Sequence, residues 1–458
     1  MNIREYKLKS DVKEIFNNFL QDELPVLLES QKLDKNLGRY SIIASNPFFR
    51  IRSKGTKVEI YKDKKWQIEK KGPLDTLVEY MERYKVEEGK GMPFIGGAIG
   101  YFAYDFYSEV EKLDINQEDD LNIYDMYFSY YNEVILIDNK EEKIYLISHE
   151  FLENVNERIK KIEDKILNPS EIKDSFYNTE VKIQNEISKD KYLDAISCVK
   201  NNIENGNVYQ INFTQRFNCN LNKSPFTLYN RLSKINKSPF AAYLDYKDYQ
   251  IVSSSPERFV RVRGDNIDTR PIKGTIARGQ NKTEDIKNRK ILENSEKDQA
   301  ELLMIIDLER NDIGKICESG SVKVEELFHI EEYATVFQQV ANVSGKLRSG
   351  FSIKEIIKGT FPGGSITGAP KISAMKLIGE LEEKTRNIYT GNIGYISFNK
   401  NMDFNIAIRS ILCKKSKAYY QVGGGIIWDS DSELEYEESL LKGKALKEAL
   451  IWRGNNEN

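Results

Sequence analysis

The sequence predicts an α+β fold built on antiparallel sheets, and three observations point to it. Up to about residue 150 the chain is rich in short alternating runs, such as Tyr40-Ser-Ile-Ile-Ala44 and Val134-Ile-Leu-Ile137, which is the pattern of half-buried strands. From about residue 188, strand-like and helical segments mix without a regular strand–helix–strand rhythm, which disfavours a doubly wound parallel sheet. Between the two lie a charged helical run, Phe151 to about Leu167, and a polar stretch, Asn168 to about Ile187, whose few apolar residues have no clear period. The expected organisation is therefore an N-terminal part over 1–150, a helix and linker over 151–187, and a C-terminal region over 188–458.

Local signals place several elements. Tyr192, Ile196, Val199 and Ile203 recur at helical spacing after Ser188, and Gly206 suits a helix C-terminal cap. Ser295 with Asp298 reads as the start of another helix. A faint internal echo links GGAIGYFAYD from Gly96 to GNIGYISFN from Gly391. It reads equally as two similar halves of a layered fold or as two unrelated glycine turns feeding strands.

Composition narrows the function classes. The chain has 458 residues, 40% of them hydrophobic, enough for one large or two ordinary cores. Its 68 Lys and Arg against 71 Asp and Glu leave a net charge of −3, which gives no electrostatic reason to expect nucleic acid or an anionic membrane as partner. The N-terminus lacks an apolar core of signal-peptide length, and no apolar run is long enough to span a bilayer, so a cytoplasmic protein is expected. The four cysteines, Cys198, Cys219, Cys317 and Cys413, form no C-x-x-C pair and read as buried reduced thiols. The two histidines, His149 and His329, have no partner at metal-ligand spacing and read as structural. Acid–base chemistry must then rest mostly on Lys, Glu and Asp, and a bound metal would be a hard, oxygen-ligated cation.

Three glycine-rich segments could let backbone approach an anion: PIKGT from Pro271, FPGGSITGAPK from Phe361 and VGGGIIW from Val422. None is a P-loop or a dinucleotide fingerprint, and each alone is more often a turn. The acidic helices say more. Asp298 and Glu301 share one helix face; Glu435, Glu438 and Lys442 share another at i, i+3 and i+7. Solvated acidic faces are the usual outcome of such runs. Glu301, however, precedes Leu302-Leu303-Met304-Ile305-Ile306, a run a core would bury, and a carboxylate there needs a partner.

Taken in order, SSPERF (254–259), PIKGT (271–275), KDQAELLMIIDLERNDIG (297–314), GGSITGAPK (363–371), the Arg409 segment, GGGIIWDSDSELEYEES (423–439) and Lys442 resemble the chorismate-binding enzymes. That family includes anthranilate, aminodeoxychorismate, isochorismate and salicylate synthases. The match covers roughly 188–450, and LLES, GRYSIIASNP and GGAIGYFAYD extend it to the N-terminal part of the first two groups. The resemblance implies a layered sandwich of two large, mainly antiparallel sheets with helices packed outside. It implies Mg²⁺ as cofactor, with Glu301 and Glu438 as direct ligands and Asp298 and Glu435 behind them. It also implies a chorismate pocket in which Arg409 and Tyr389 hold the enolpyruvyl carboxylate. Gly274, Thr275, Ser365, Gly423, Gly424, Gly425, Gln210 and Lys442 complete that pocket. An arginine fork suits one carboxylate of a dianion, and a cation suits the other.

Within the family, two positions resemble the aminodeoxychorismate group. Gln210 stands where isochorismate-type enzymes place a water-activating lysine, and Tyr209-Gln210 with Asn212 matches that group's pattern. Lys273 stands where anthranilate synthases have alanine. There it is expected to be a covalent nucleophile, a role that needs a neutral amine, with Glu257 as general acid on the leaving hydroxyl. Gln338 occupies the place of a histidine in anthranilate synthases, and Asn207 replaces a frequent Asp. The expected reaction converts chorismate and ammonia to 4-amino-4-deoxychorismate, for 4-aminobenzoate and folate. A separate glutamine amidotransferase subunit is expected to supply the ammonia. The alternatives are an anthranilate synthase large subunit and, more remotely, a non-catalytic tryptophan or chorismate sensor. Finally, Ser30, Leu37, Gly38, Arg39, Tyr40, Pro239, Phe240 and Ala241 resemble a tryptophan pocket, regulatory in some relatives and structural in others.

Overall fold

The computed structural model describes residues 1–32, 37–89, 91–333 and 336–454. The last four residues of the expected 188–458 region thus lie outside it. Among the described residues two twelve-stranded sheets form, with antiparallel pairing.

The first sheet runs from Asn2–Lys7 through Lys143–Ser148, Glu133–Asp138, Tyr40–Ala44 and Val26–Glu29. It continues through Phe240–Asp245, Tyr249–Ser255, Ser410–Lys414, Lys417–Ile426 and Gln210–Asn220 to Gln184–Asn185. The second runs from Ile272–Ala277 through Val336–Lys346, Asn266–Arg270, Arg258–Arg263, Met402–Asn405 and Asn392–Ser397. It continues through Gly97–Phe102, Met126–Tyr131, Phe49–Lys54 and Lys57–Lys62 to Lys65–Glu69. Each sheet therefore has a single seam between N-terminal and C-terminal strands: Val26–Glu29 against Phe240–Asp245, and Gly97–Phe102 against Asn392–Ser397.

The second seam explains the internal echo. The two similar segments are neighbouring strands of one sheet, with Gly100 directly opposite Gly394. A Cβ at Gly100 would meet the Phe128 ring at 2.9 Å, and one at Gly394 the Phe404 ring at 2.7 Å. The carbonyl oxygens of Tyr127 and Asp403 come closer still, at 1.9 and 2.1 Å, so the repeated glycines leave room for the adjacent strands' backbone as well as for two phenylalanines whose rings contact one another. Both segments are strands entered from a glycine, as the second reading of the echo has it, and they pair as neighbours in one sheet.

The largest buried cluster joins strands of both sheets, with Ile42, Ile99, Phe102, Ile251 and Phe404 among its members. A second cluster packs helices Val12–Asn17, Pro225–Ile235 and Lys444–Ile451 on the first sheet through Phe16, Phe226, Tyr229 and Leu446. Burial of apolar side chains on both faces of the first sheet is the main source of its stability.

The local signals hold where they can be checked. Helix Lys189–Glu204 begins where the Ser188 hydroxyl accepts the Lys191 N–H at 3.2 Å, and Gly206 follows it with φ +73°. Helix Glu296–Gly314 begins where Ser295 accepts the Asp298 N–H at 3.3 Å. The linker helix starts at Val155 rather than Phe151. Two side-chain expectations need correction. The run after Glu301 is not wholly buried, because the helix turns Leu303 to solvent while Leu302, Ile305 and Ile306 face the core. Cys198 is exposed on its helix, whereas the other three thiols are buried. No helix among the described residues is long and apolar enough to cross a membrane.

Candidate active site

The site forms where strand Ile272–Ala277 of the second sheet and strands Lys417–Ile426 and Gln210–Asn220 of the first meet helices Glu296–Gly314 and Ser432–Lys442. Strand Ile272–Ala277 is an edge of the second sheet, and its pairing with Val336–Lys346 slips between Lys273 and Thr275. This bulge centres on Gly274, at φ +71°. A Cβ there would lie 2.8 Å from both Asp298 Cγ and Leu292 Cδ1, so only glycine lets the strand press against helix Glu296–Gly314. Lys273 beside it reaches Glu301 of that helix, Nζ to Oε2 3.9 Å. Thr275 is exposed and stands opposite Gln338, whose Oε1 is buried without a hydrogen bond.

The floor is the strand Lys417–Ile426, paired with Gln210–Asn220. A Cβ on Gly425 would fall 2.2 Å from Gln210 Nε2 and 3.6 Å from Lys273 Nζ. A Cβ on Gly424 would fall 3.2 Å from Lys442 Nζ and 3.4 Å from Glu435 Oε2. The glycines thus bring together side chains from the strand of Gln210, the bulge of Lys273 and helix Ser432–Lys442. Lys442 also donates to the Gly423 carbonyl at 3.1 Å.

Glu257 is buried, and its Oε1 accepts the Ser365 hydroxyl at 2.9 Å. Burial pushes its carboxyl up to about 7, against the pull of Ser365, Lys273 and the backbone of Ile272. At neutral pH this is a carboxyl that can hold and release a proton, within the electrostatic reach of Lys273. Behind it lies Glu309, whose Oε2 accepts the Thr269 hydroxyl at 2.9 Å and which burial holds well above the usual carboxylate range.

Three of the four acidic residues named from sequence have a lysine nearby: Glu301 has Lys273, Glu435 has Lys297 and Glu438 has Lys442. Burial raises the Glu301 carboxyl; Lys273 and Lys297 oppose this, while Asp298 and Glu435 reinforce it. Burial would raise Glu438 too, but Lys442 at 2.8 Å, with Lys297 and Lys273 behind it, brings it below its usual value. Glu435 accepts Ser430 Oγ at 2.7 Å and lies 4.0 Å from Lys297. Among the described residues no group of three or more acidic, His or Cys side chains is placed to hold a metal ion. Carboxylate oxygens are the donors that a hard divalent cation takes, and Asp298 and Glu435 add to the burial that raises Glu301.

Tyr389 and Arg409 lie within electrostatic reach of each other. Burial lowers the Arg409 guanidinium, partly offset by Tyr389 and Glu438. That guanidinium makes no ion pair or hydrogen bond among the described residues. A half-buried arginine without an acid is suited to an incoming carboxylate.

Sequence reading missed the support behind these groups. Arg386 is fully buried and forks onto Glu382, with its Nε and Nη2 each 2.7 Å from a carboxylate oxygen. It also donates to the Ile366 carbonyl at 3.0 Å and to the Asn212 carbonyl at 2.6 Å. Asn212 in turn donates to Ile366 at 3.1 Å. This network ties the strand of Gln210 to the turn that carries Ser365. Lys297 was also missed, although its i−4 spacing from Glu301 was there to be read.

A separate cavity of about 560 Å³ is lined by Ser30, Leu37, Gly38, Arg39, Tyr40, Pro239, Phe240 and Ala241, all eight residues of the expected tryptophan pocket. Lys273 and Glu301 do not line it. Arg258, Arg261 and Arg263 also face it, paired with Asp403 at 3.0 Å, Asp268 at 2.8 Å and the Tyr395 hydroxyl at 2.6 Å respectively. Arg39 is exposed and held by Asp138 at 2.7 Å.

Known proteins resemble this chain in sequence and in fold. Anthranilate synthase component 1 of Aquifex aeolicus is 36% identical over 442 residues, 93% of this chain and 89% of its own length. Aminodeoxychorismate synthase component 1 of Bacillus subtilis is 35% identical over 432 residues, 93% of this chain and 91% of its own. The crystal structure of anthranilate synthase component I from Streptococcus pneumoniae superposes with a TM-score of 0.81 at 33% identity, covering 90% of this chain and 93% of that one. The family model for chorismate binding enzymes matches residues 25–448. The chain therefore belongs to the chorismate-binding enzyme family.

Proposed function

We propose that the chain is the large subunit of an aminodeoxychorismate synthase, converting chorismate and ammonia to 4-amino-4-deoxychorismate. The observation that carries this reading is Lys273, set by a bulge beside Glu301 and within reach of Glu257, a carboxyl that holds a proton near neutral pH. A divalent cation such as Mg²⁺, held by Glu301 and Glu438 with Asp298 and Glu435 behind them, would neutralise the substrate's ring carboxylate. Arg409 and Tyr389 bind the enolpyruvyl carboxylate. Gly274, Thr275 and the strand from Gly423 to Gly425 shape the ring pocket, with Lys442 at its margin.

The chemistry balances within these residues. The Lys273 amine forms a bond to the ring carbon beside the carboxylate, the double bonds shift, and the hydroxyl leaves as water with the proton of Glu257. Ammonia then bonds to the vacated carbon, the double bonds return, and the carbon–nitrogen bond to Lys273 breaks. The proton that ammonia sheds restores Glu257.

Ammonia comes from a separate glutamine amidotransferase subunit, in keeping with the component 1 names of the relatives. Chorismate with ammonium and Mg²⁺, followed by mass spectrometry, tests the reading. An amine that retains the enolpyruvyl group supports it, and anthranilate refutes it.

Tryptophan is a second ligand in this reading, held in the separate cavity whose arginines and Glu29 offer charge of both signs to a zwitterion. Isothermal titration with tryptophan tests it, and absence of heat removes the site.

A further inference from the structure

We propose that Asp105, from the N-terminal part of the chain, is a positioning residue that aims Tyr389 at the substrate. The inference rests on the reading above in which Tyr389 and Arg409 bind the enolpyruvyl carboxylate, and it names what sets the Tyr389 side of that grip. Asp105 Oδ2 accepts the Asn387 N–H at 2.7 Å, and the Tyr104 N–H donates to the Asn387 carbonyl at 2.8 Å. Two consecutive residues from a distant part of the chain thus satisfy both backbone groups of Asn387. Tyr389, two residues on, donates its own N–H to the carbonyl of Arg386 at 3.1 Å, the arginine forked onto Glu382.

This clamp acts on backbone that needs holding. Asn387 has φ +53° and Thr390 φ +59°, with Tyr389 between them. Asparagine tolerates the left-handed region, whereas a β-branched threonine there is an outlier. Such backbone persists only where its surroundings over-determine it, and it gathers at ligand sites. On the other side of Tyr389, the Thr390 N–H donates to the Ala407 carbonyl at 3.0 Å, two residues before Arg409, itself at φ +53°. The loop that carries Tyr389 is therefore tied to the Arg409 segment at one end and to Asp105 at the other.

Asp105 takes over where the seam between N-terminal and C-terminal strands stops. Phe102 pairs with Asn392, and a Cβ on Gly391 would fall 2.3 Å from the Phe102 carbonyl oxygen. Beyond that pair the strands end, and the 3₁₀ turn Tyr104–Glu109 carries the contact on to Asn387. Asp105 is half-buried, but its Oδ1 lies out of solvent without a hydrogen-bond partner, so its grip runs through Oδ2 alone. Burial pushes its carboxyl up to about 7, with the Asn387 N–H pulling against the rise and the charge of Asp125 adding to it. An asparagine amide offers the same accepting oxygen without the charge, and is its close substitute.

The test is chorismate consumption by the full chain at saturating Mg²⁺ and ammonium, with kcat, KM and melting temperature read for each variant. This readout holds whichever product is released. Asp105→Ala is expected to raise KM for chorismate roughly tenfold with kcat within about threefold, and Asp105→Asn to bring KM back to within about twofold. Tyr389→Phe is expected to raise KM by a similar factor. The double variant Asp105→Ala with Tyr389→Phe should exceed Tyr389→Phe alone by no more than about threefold, because both act through one contact. A merely structural Asp105 would lower the melting temperature and, through the active fraction, kcat, while leaving KM unmoved; that result overturns the proposal. So does a double variant whose rise in KM is the product of the two single rises. If Asp105→Ala does not fold, Asp105→Glu, which lengthens the carboxylate by one methylene, enters the same cycle: a rise of several-fold in KM is expected, and an unchanged KM overturns the proposal. An unchanged KM in Asp105→Ala beside a raised one in Tyr389→Phe removes Asp105 alone. An unchanged KM in Tyr389→Phe removes the substrate-binding reading of Tyr389 and the proposal with it.

Discussion

Lys273 Nζ lies 3.9 Å from Glu301 Oε2, and each side chain keeps only 14% and 15% of its surface open. In the proposed reading the same carboxylate would also hold the divalent cation, and a cation taking Glu301 would draw it away from the lysine, coupling metal binding to the readiness of the amine.

Replacing Lys273 with Ala should leave chorismate binding within a few-fold while amine formation falls by about a thousandfold or more, the scale of losing a positioned nucleophile. Calorimetry and product assay measure the two separately. Full turnover in this variant would reject the covalent route.

The Glu257 carboxyl, raised by burial to about 7, acts as an acid only while protonated. Its contribution is present below that value and is lost as pH rises through it. The rate with saturating substrates should therefore fall on the alkaline side of about 7. Gln in its place should lower the plateau by about 10²–10⁴-fold and abolish that limb. A limb that persists in Glu257→Gln assigns it to another group.

The two floor glycines should respond unequally. Gly425→Ala places a Cβ against the buried amide of Gln210 and close to Lys273, and should cost about a hundredfold in turnover. Gly424→Ala meets the flexible ends of Lys442 and Glu435 at 3.2 and 3.4 Å and should cost far less. Circular dichroism on both confirms the fold, and equal effects would contradict the described floor.

Arg386→Met leaves the Glu382 carboxylate buried without its partner and should destabilise the fold by about 3–5 kcal/mol. The double variant with Glu382→Leu should recover part of that loss, since a buried pair replaced as a unit is often tolerated. Thermal melts read both. A double variant no better than the single one would show that the pair is not the unit.

Much of this arrangement was legible in the chain. The cap at Ser188, the helix from Ser295 and the acidic faces follow from spacing of 3 to 4 residues, which a single helix displays openly. The three glycine segments announced close approach but not what approached: Gly274 meets Asp298 of helix Glu296–Gly314, and Gly425 meets Gln210 from a distant part of the chain. Pairings of that kind are set by sheet register, which has no local signature. Arg386 with Glu382 has helical spacing, yet its bonds to Asn212 and Ile366 exist only once the strand and turn are assembled. Nothing near Glu309 in sequence foretells that Thr269 would cover it. The echo of Gly96 and Gly391 left two readings open, because the pairing of its segments as adjacent strands exists only in the assembled sheet.

The most direct measurement is the mass of the product released from chorismate, ammonium and Mg²⁺ by the unaltered chain, before and after adding an aminodeoxychorismate lyase. The account predicts an amine that keeps its enolpyruvyl group until the lyase removes it to give 4-aminobenzoate. Fluorescent anthranilate, formed without any lyase, would contradict it.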